Sequence, residues 1–556
     1  MKRFGFFLAL LLLPVLAASQ TMITGTLKTA DGKVPPAADL HLTGIGGSYN
    51  EPMQTKSVTG GKFQVEVKDA GLYKLWFTAA NHQAFGVPLV IESISGVDKK
   101  IDLAVQLRPY SYKSELGELK IIGEWNKFNL RSGEPMTKQA DGSFVYEREA
   151  SGNEIAYQVV GADGDGHSIN GTMSDKFIYD GGGDYQSVVK ASGGKVRIVF
   201  EPKKLLRMMA ENLPSVKFDK AHAHLEEIAS FEKQLDVQRN AAMKAYLGAQ
   251  AKGEDMKKFR FDYEPLYTNL KVAMNDQKNP LPLRQFAAVS LASFPFAEVN
   301  VMNDSLFADA IRKFVPAESL MWAASMDGTN NICFTKDKTE QERRMRMFVD
   351  KNPDRSVRVN MLLTMTALAS QRGESEKLVS LLEEMKSKYG DTQEAQFALK
   401  RFKPNASVAV GKAVPAFEVK LLGGETVSNK SMLGKYYMMD FWAVWCGPCV
   451  VEMPKLHEAY GKFKGKQGFE VLSLSFDQKQ EDITKFRAER FKMPWLHTFV
   501  EGGFEGAISK NFEVIGIPKP VLIDPKGNIV ATEDDLRGEN LENTLAKFLG
   551  EPTKNN

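Results

Sequence analysis

The chain has 556 residues, which is too long for one hydrophobic core, so about three to five domains are expected. Hydrophobic residues make up 43% of it, charged residues make up 25%, and the formal net charge is only +3. This balance gives no general attraction to nucleic acid or to an anionic membrane, so no nucleic-acid partner is expected.

Residues 1–19 have the pattern of a secretory signal peptide. A basic start at residues 1–3 precedes a run of apolar residues at 4–16, and small residues at 17–19 suit cleavage before Gln20. The apolar run is shorter than a bilayer normally requires, although an anchor that is never cleaved is the alternative interpretation. The sequence therefore predicts a periplasmic or otherwise exported protein that is soluble after cleavage.

The cysteines are too few for the disulfide framework of a secreted domain, since the whole chain has three. Cys446 and Cys449 form a C-x-x-C pair, which favours redox catalysis. A zinc site needs more ligands than this pair supplies, so neither a metal nor another cofactor is expected. Cys333 lies in a half-apolar stretch and is predicted to be a buried, inert thiol; a reactive thiol is the alternative.

Residues 20–108 are predicted to form a β-sandwich, because short runs such as Lys62–Val67 alternate apolar and polar residues between glycine-containing turns. The motifs that carry a family likeness are Gly25-Thr26-Leu27, Gly61-Lys62-Phe63 and Gly71-Leu72-Tyr73. They resemble the carboxypeptidase-regulatory-like domains of exported proteins, which act as spacers or binding modules.

Residues 109–202 are predicted to form a second sandwich. The strand that runs into Trp125-Asn126, and the strands after it, resemble early-set sandwiches such as glycogen-binding modules. In that family an aromatic residue after this turn stacks on sugar, and Phe128 occupies the place here. Glycan binding near Phe128 is therefore one hypothesis, and a structural or protein-contact role is the other; Trp125 is expected in the core. The stretch 163–166 lacks the closing glutamate of a calcium loop and is predicted to be a turn.

Residues 203–402 are predicted to form an all-α domain, because apolar residues recur at steps of three and four between prolines. We expect this domain to serve as a scaffold or a partner surface. Residues 403–415 are predicted to be a linker. In residues 416–556 strands and helices alternate, which predicts a central sheet covered on both faces.

The C-x-x-C pair follows a predicted buried strand and precedes a predicted helix. A helix N-terminus carries unpaired N–H groups and a partial positive charge, which favour a thiolate. Cys446 is expected to be the exposed thiol ahead of the first turn, and Cys449 is placed to resolve a mixed disulfide. Pro448 sits where a helix tolerates proline.

The residues around this pair also carry a family resemblance. They are Asp440-Phe441-Trp442-Ala443, Trp445-Cys446-Gly447-Pro448-Cys449, Glu452, Pro454 and Gly516-Ile517-Pro518. In this order they resemble the branch of thioredoxin-fold proteins that includes the exported TlpA and ResA oxidoreductases. The expected architecture is therefore multidomain: two N-terminal β-sandwiches, a central all-α domain and a C-terminal α/β thioredoxin fold.

The resemblance implies roles for individual residues. Cys446 would attack a substrate disulfide and Cys449 would resolve it. Asp440 would be a buried carboxylate that handles the proton of Cys449, with a satisfied buried acid as the alternative. Glu452 would be a second acid–base group, with a solvated helix face as the alternative.

The resemblance also implies a substrate-binding edge. Trp445 would flank the dithiol, and a cis Ile517–Pro518 peptide would offer a backbone edge to an extended substrate. The chain departs from the family pattern at Lys519-Pro520, where small hydroxyl residues are common, and it has no lysine at the place on strand 473–477 where cytosolic thioredoxins carry one. Both departures leave the redox potential open.

The function expected is that of an exported thiol–disulfide oxidoreductase acting on protein disulfides or dithiols. The Gly447-Pro448 dipeptide between the cysteines favours a reductase, which would need a membrane thiol electron donor. A disulfide oxidase or isomerase of the same fold is one alternative. A glycan- or protein-binding adaptor with an appended thioredoxin domain is the other.

Overall fold

The computed structural model describes residues 20–94, 96–150, 152–207, 213–251, 258–294, 305–403, 407–538 and 540–551. The predicted signal peptide lies outside these residues. The chain separates into two compact units, Met1–Met361 and Leu362–Asn556, and each is described by itself. Within the described ranges, none of the helices is both long and apolar enough to cross a membrane.

The first unit opens with a sandwich of two antiparallel-rich sheets. Its strands are β1 (Thr21–Thr29), β2 (Ala38–Gly44), β3 (Gln54–Ser57), β4 (Lys62–Val67), β5 (Gly71–Ala79), β6 (Phe85–Ile91) and β7 (Lys100–Leu107). One sheet contains β7-β1-β4 and the other β3-β2-β5-β6. Phe63 of the first sheet meets Phe77 of the second at 4.9 Å between ring centroids, which places the core between them.

The second sandwich follows directly. Its strands are β8 (Lys120–Gly123), β9 (Glu134–Pro135), β10 (Thr137–Lys138), β11 (Phe144–Glu149), β12 (Glu154–Val160), β13 (Lys176–Gly181), β14 (Asp184–Lys190) and β15 (Lys195–Phe200). The sheet β13-β14-β12-β8-β9 and the sheet β10-β11-β15 share one apolar cluster that includes Tyr157 and Phe200. Two N-terminal sandwiches are therefore confirmed.

The chain then becomes helical, with one exception. A short strand β16 (Ser215–Phe218) pairs antiparallel with β7 and buries Val216 against the first sandwich. It lies inside the stretch predicted to be all-α, because four residues are too few to show a period against the helical pattern around them.

Nine helices of this region fall within the described residues. They are α1 (His224–Ala251), α2 (Leu266–Asn275), α3 (Leu281–Leu291), α4 (Ser305–Phe314), α5 (Met326–Cys333), α6 (Lys338–Lys351), α7 (Arg355–Gln371), α8 (Ser375–Tyr389) and α9 (Gln393–Arg401). The second compact unit begins within α7, so it contains α8 and α9 together with the C-terminal sheet. The domain limits drawn from the sequence stay predictions.

The C-terminal part is a mixed sheet with helices. Its elements are β17 (Glu418–Lys420), β18 (Thr426–Ser428), β19 (Tyr437–Trp442), α10 (Gly447–Phe463), β20 (Glu470–Ser475), α11 (Gln480–Glu489), β21 (Leu496–Phe499), α12 (Ala507–Asn511), β22 (Lys519–Ile523), β23 (Ile529–Thr532) and α13 (Asn540–Leu549). The strand order is β21-β20-β19-β22-β23, with β19, β20 and β21 parallel and β22 and β23 antiparallel. This arrangement confirms the predicted thioredoxin fold.

Strand β19 lies at the centre of this sheet and determines where the C-x-x-C pair lies. All six of its residues are buried, as expected for a strand covered on both faces. Its hydrogen-bonded neighbours are β20 on one side and β22 on the other. The chain leaves β19 at its C-terminal end and enters α10, so the cysteines sit at the edge where ligands bind in open α/β sheets.

Candidate active site

The two cysteines are joined by a disulfide at the start of α10, with 5.3 Å between their Cα atoms. Cys446 is the N-cap residue, and its sulfur accepts the backbone N–H of Cys449 at 3.2 Å. Pro448 lies in the first turn, where its missing N–H costs no helical hydrogen bond. The predicted placement at a helix N-terminus is therefore confirmed.

The prediction that Cys446 is exposed is wrong for the disulfide-bonded form of the protein. Only 4% of the residue is exposed, whereas its neighbour Trp445 is 57% exposed. The sulfur lies 3.8 Å from the carbonyl oxygen of Ile517, so the edge before β22 covers it. Trp445 is therefore the exposed neighbour of a sulfur that the Ile517 carbonyl covers.

The edge is formed by the Ile517–Pro518 peptide, which is cis as the family resemblance implies. Directly after it, β22 begins at Lys519, which is paired with Phe441 of β19. The register of β22 against β19 thus brings Ile517 to the cysteines.

Asp440 is only 7% exposed and lies on β19 beneath the helix start. The hydroxyl of Ser473 donates to its carboxylate at 3.4 Å, and the indole N–H of Trp495 donates to Ser473 at 2.9 Å. Burial raises the pKa of Asp440 to about 7, and the charge of Glu452 adds to the rise, while the Ser473 hydrogen bond opposes it. A carboxyl group with this pKa exchanges protons near neutral pH.

Glu452 is half-buried and held in place. The backbone N–H of Gly538 donates to its carboxylate at 2.7 Å, and the Arg537 side chain lies 3.3 Å from the other oxygen. Sequence reasoning missed both partners, because they lie more than 80 positions away in a segment with no recognisable motif.

A cavity of about 30 Å³ joins these groups. Asp440, Cys449, Glu452 and Pro518 are among its lining residues. A space of this size has room for a water molecule, and two carboxyl groups supply polar partners for one. Cys449, the two acids and Pro518 therefore face one small cavity.

The loop between β19 and Cys446 has its own anchor. The backbone N–H of Val444 donates to the carboxylate of Asp477 at 3.0 Å, and the Ser475 hydroxyl donates to the same carboxylate at 2.6 Å. Sequence reasoning missed this role. An acid two residues beyond a buried serine, at the C-terminal end of a strand, is the signal that was available.

The other residues singled out in the sequence lie elsewhere. Cys333 is buried as expected, and burial raises the pKa of its thiol to about 12. The ring of Trp125 stacks on Tyr146 at 5.6 Å between centroids, and the Arg148 guanidinium lies 4.2 Å from the centre of the Trp125 ring. Phe128 is half-buried in the turn that follows.

The Asp163 stretch forms a turn. Its carboxylate accepts the backbone N–H groups of Asp165 and His167 at 3.0 and 3.1 Å. The same oxygen also lies 2.8 Å from the His167 ring. These bonds within the loop account for its conformation.

The fold and the disulfide at the N-terminus of α10 define a thioredoxin-like domain. The family model described as thioredoxin-like matches residues 434–529. The chain is 30% identical over 148 residues to the thiol-disulfide oxidoreductase ResA of Bacillus cereus, a match that covers 27% of this chain and 81% of that protein. It is 31% identical over 128 residues to ResA of Geobacillus kaustophilus, covering 23% of this chain and 71% of that protein. The thioredoxin domain of a thiol-disulfide oxidoreductase from Bacteroides vulgatus is 36% identical, with 26% of this chain and 99% of that one covered and a TM-score of 0.24.

Through this domain the chain belongs to the family of ResA-type thiol–disulfide oxidoreductases. It carries a thiol–disulfide oxidoreductase domain with a C-x-x-C pair. The matches cover the C-terminal quarter, and they assign nothing to the two sandwiches or to α1–α6.

Proposed function

We propose that the protein is an exported thiol–disulfide reductase that passes two electrons from the Cys446/Cys449 dithiol to disulfides in other proteins. One observation carries this proposal: Cys446 caps α10 beneath the Ile517 carbonyl, and its disulfide partner Cys449 shares a small cavity with Asp440. The names of the relatives specify thiol–disulfide chemistry, and disulfides of proteins are the substrate class of this proposal.

The reaction begins with the reduced pair. The Cys446 thiolate attacks one sulfur of the substrate disulfide, which forms a mixed disulfide and expels a substrate thiolate. The N-terminal field of α10 and the N–H of Cys449 stabilise the attacking thiolate. Cys449 then attacks the Cys446 sulfur, which closes the protein disulfide and releases the second substrate thiol.

The second step requires Cys449 to lose its proton. We assign the acceptor role to Asp440, because its raised pKa lets it take a proton near neutral pH and release it afterwards. Glu452 lines the same cavity and is placed to pass the proton onward. In the opposite direction of reaction the same groups would return the proton.

The substrate would lie along the exposed Trp445 and the backbone edge at Ile517 and Pro518. An extended peptide pairs with such an edge through main-chain hydrogen bonds, so recognition would be largely independent of sequence. Trp445 adds apolar area beside the attacked sulfur.

Export and the direction of electron flow rest on the sequence. Residues 1–19 support export, and the Gly447-Pro448 dipeptide supports a reductase. A reductase outside the cytoplasm needs a source of electrons, for which we propose a membrane thiol carrier.

Reduction of insulin disulfides by the full chain, supplied with dithiothreitol, tests this function. Wild type should accelerate the reaction, and Cys446→Ser should abolish the acceleration, because that change removes the attacking sulfur. Cys333→Ser is the matched control, since it removes a buried thiol outside the site. No acceleration by wild type, or equal acceleration by Cys446→Ser, would refute the proposal.

A further inference from the structure

Lys519, which follows the proline edge directly, is buried although it carries a charge. Only 8% of it is exposed. Its ammonium donates to the backbone carbonyl of Glu513 at 3.3 Å and lies 3.4 Å from the carboxylate of Glu533. A buried ammonium is stable only where such partners exist, so these contacts fix its position closely.

The partners of Lys519 are tied in turn to the end of helix α9. Arg401, its last residue, forms an ion pair with the same Glu533 carboxylate. Lys403 lies 3.7 Å from the carboxylate of Glu513. A chain of alternating charges therefore runs from the C-terminus of α9 to the residue after Pro518.

These contacts restrain the backbone of Ile517 and Pro518. Lys519 is the first residue of β22, so a side chain held at its far end restrains the peptide that carries Ile517 and Pro518. The Ile517 carbonyl is the group that lies 3.8 Å from the Cys446 sulfur. Small errors in such a position reduce reaction rates steeply, because the reacting groups must be aligned.

We propose that Lys519 is a positioning residue for protein substrates, and that α9 supports it through Arg401 and Glu533. Lys519 holds the Ile517–Pro518 backbone in the position in which an extended chain can pair with that backbone beside Cys446. A small disulfide, which makes no pairing with the edge, does not depend on Lys519. This inference rests on the proposed exchange function.

The test compares two disulfides with pre-reduced full-length protein in single turnover. Insulin is the protein substrate. The small substrate is 5,5′-dithiobis(2-nitrobenzoate), from which attack by Cys446 and closure by Cys449 release two thionitrobenzoate ions as the protein disulfide forms. Lys519→Met removes the charge at nearly constant length. Lys526→Met, at an exposed lysine in the turn between β22 and β23, is the matched control.

Lys519→Met should slow insulin reduction about ten-fold while the small disulfide reacts within about two-fold of the wild-type rate. Lys526→Met should change neither rate. Equal losses with both substrates would show a general structural role, and unchanged insulin reduction would show no role, so either result overturns the inference. If wild type reduces neither disulfide, the proposed function itself fails.

Arg401→Gln provides a second variant in case Lys519→Met folds poorly. It leaves Lys519 paired with Glu533 and removes only the contact from α9. Insulin reduction should fall about three-fold, again with little change for the small disulfide. If the ratio of the insulin rate to the small-disulfide rate is the same in Arg401→Gln as in wild type, the role of α9 is contradicted.

Discussion

Replacement of Asp440 by asparagine should stabilise the C-terminal unit, and the gain should depend on pH. In the folded protein burial raises the pKa of this carboxyl from 3.8 to about 7. The folded state therefore binds the proton more tightly than the unfolded chain does. The contribution of the protonated Asp440 carboxyl to the free energy of unfolding is fully present below about pH 4 and is lost as the pH rises through about 7.

The size of the loss follows from the two pKa values. The difference between 3.8 and about 7 corresponds to about 4 kcal/mol in the free energy of unfolding. Asparagine has nearly the same shape and stays neutral, so Asp440→Asn does not incur this cost. Wild type and variant should be about equally stable at pH 4, and the variant should be about 4 kcal/mol more stable at pH 8.

Hydrogen–deuterium exchange on the full-length, oxidised protein measures this difference locally. Peptides from β19 and β20 in Asp440→Asn should exchange about 1,000-fold more slowly than in wild type at pH 8, and at a similar rate at pH 4. Peptides from β14, in the other compact unit, are the control and should not differ. The same difference at both pH values, or faster exchange in the variant at pH 8, would refute the buried-acid account of Asp440.

Two further substitutions in the site and one labelling experiment outside it test other predictions. Glu452→Gln removes a negative charge that raises the pKa of Asp440, so this pKa should be lower in the variant. The loss of β19 protection between pH 4 and pH 8 should then be smaller than in wild type in the same exchange experiment, and an equal or larger loss would contradict the electrostatic assignment. Cys449→Ser should accumulate a mixed disulfide between Cys446 and insulin, visible on a non-reducing gel, because the resolving sulfur is gone; free turnover without the adduct would contradict the assigned order. In the reduced native protein Cys333 should resist iodoacetamide at pH 8, since its pKa of about 12 leaves about one thiolate in 10,000, and mass spectrometry should find it modified only after denaturation.

Local features of the site could be predicted from the sequence. The C-x-x-C pair, the strand before it and the helix after it are contiguous, so hydrophobic pattern and helix-end chemistry were enough to place them. The family resemblance implied that Asp440 is buried, and the structure agrees. The family resemblance supplied the cis Ile517–Pro518 peptide, which no local pattern would indicate.

Contacts between distant segments could not be predicted in this way. Lys519 was recognised as a departure from the family pattern, but its partner Glu533 is shared with Arg401, 132 positions away from Glu533. No periodicity relates these residues, because the fold of the whole unit brings them together. The exposure of Cys446 was misjudged for the same reason, since the edge that covers it comes from residue 517.

The midpoint potential of the Cys446/Cys449 couple, measured in the full-length protein against glutathione, tests the central claim most directly. Thioredoxin-fold couples range from about −270 mV for reductases to about −120 mV for strong oxidants. A reductase requires a value toward the lower end, about −230 mV or below, and this is the result that we predict. A value near about −120 mV would contradict the proposed direction and assign the protein to disulfide formation instead.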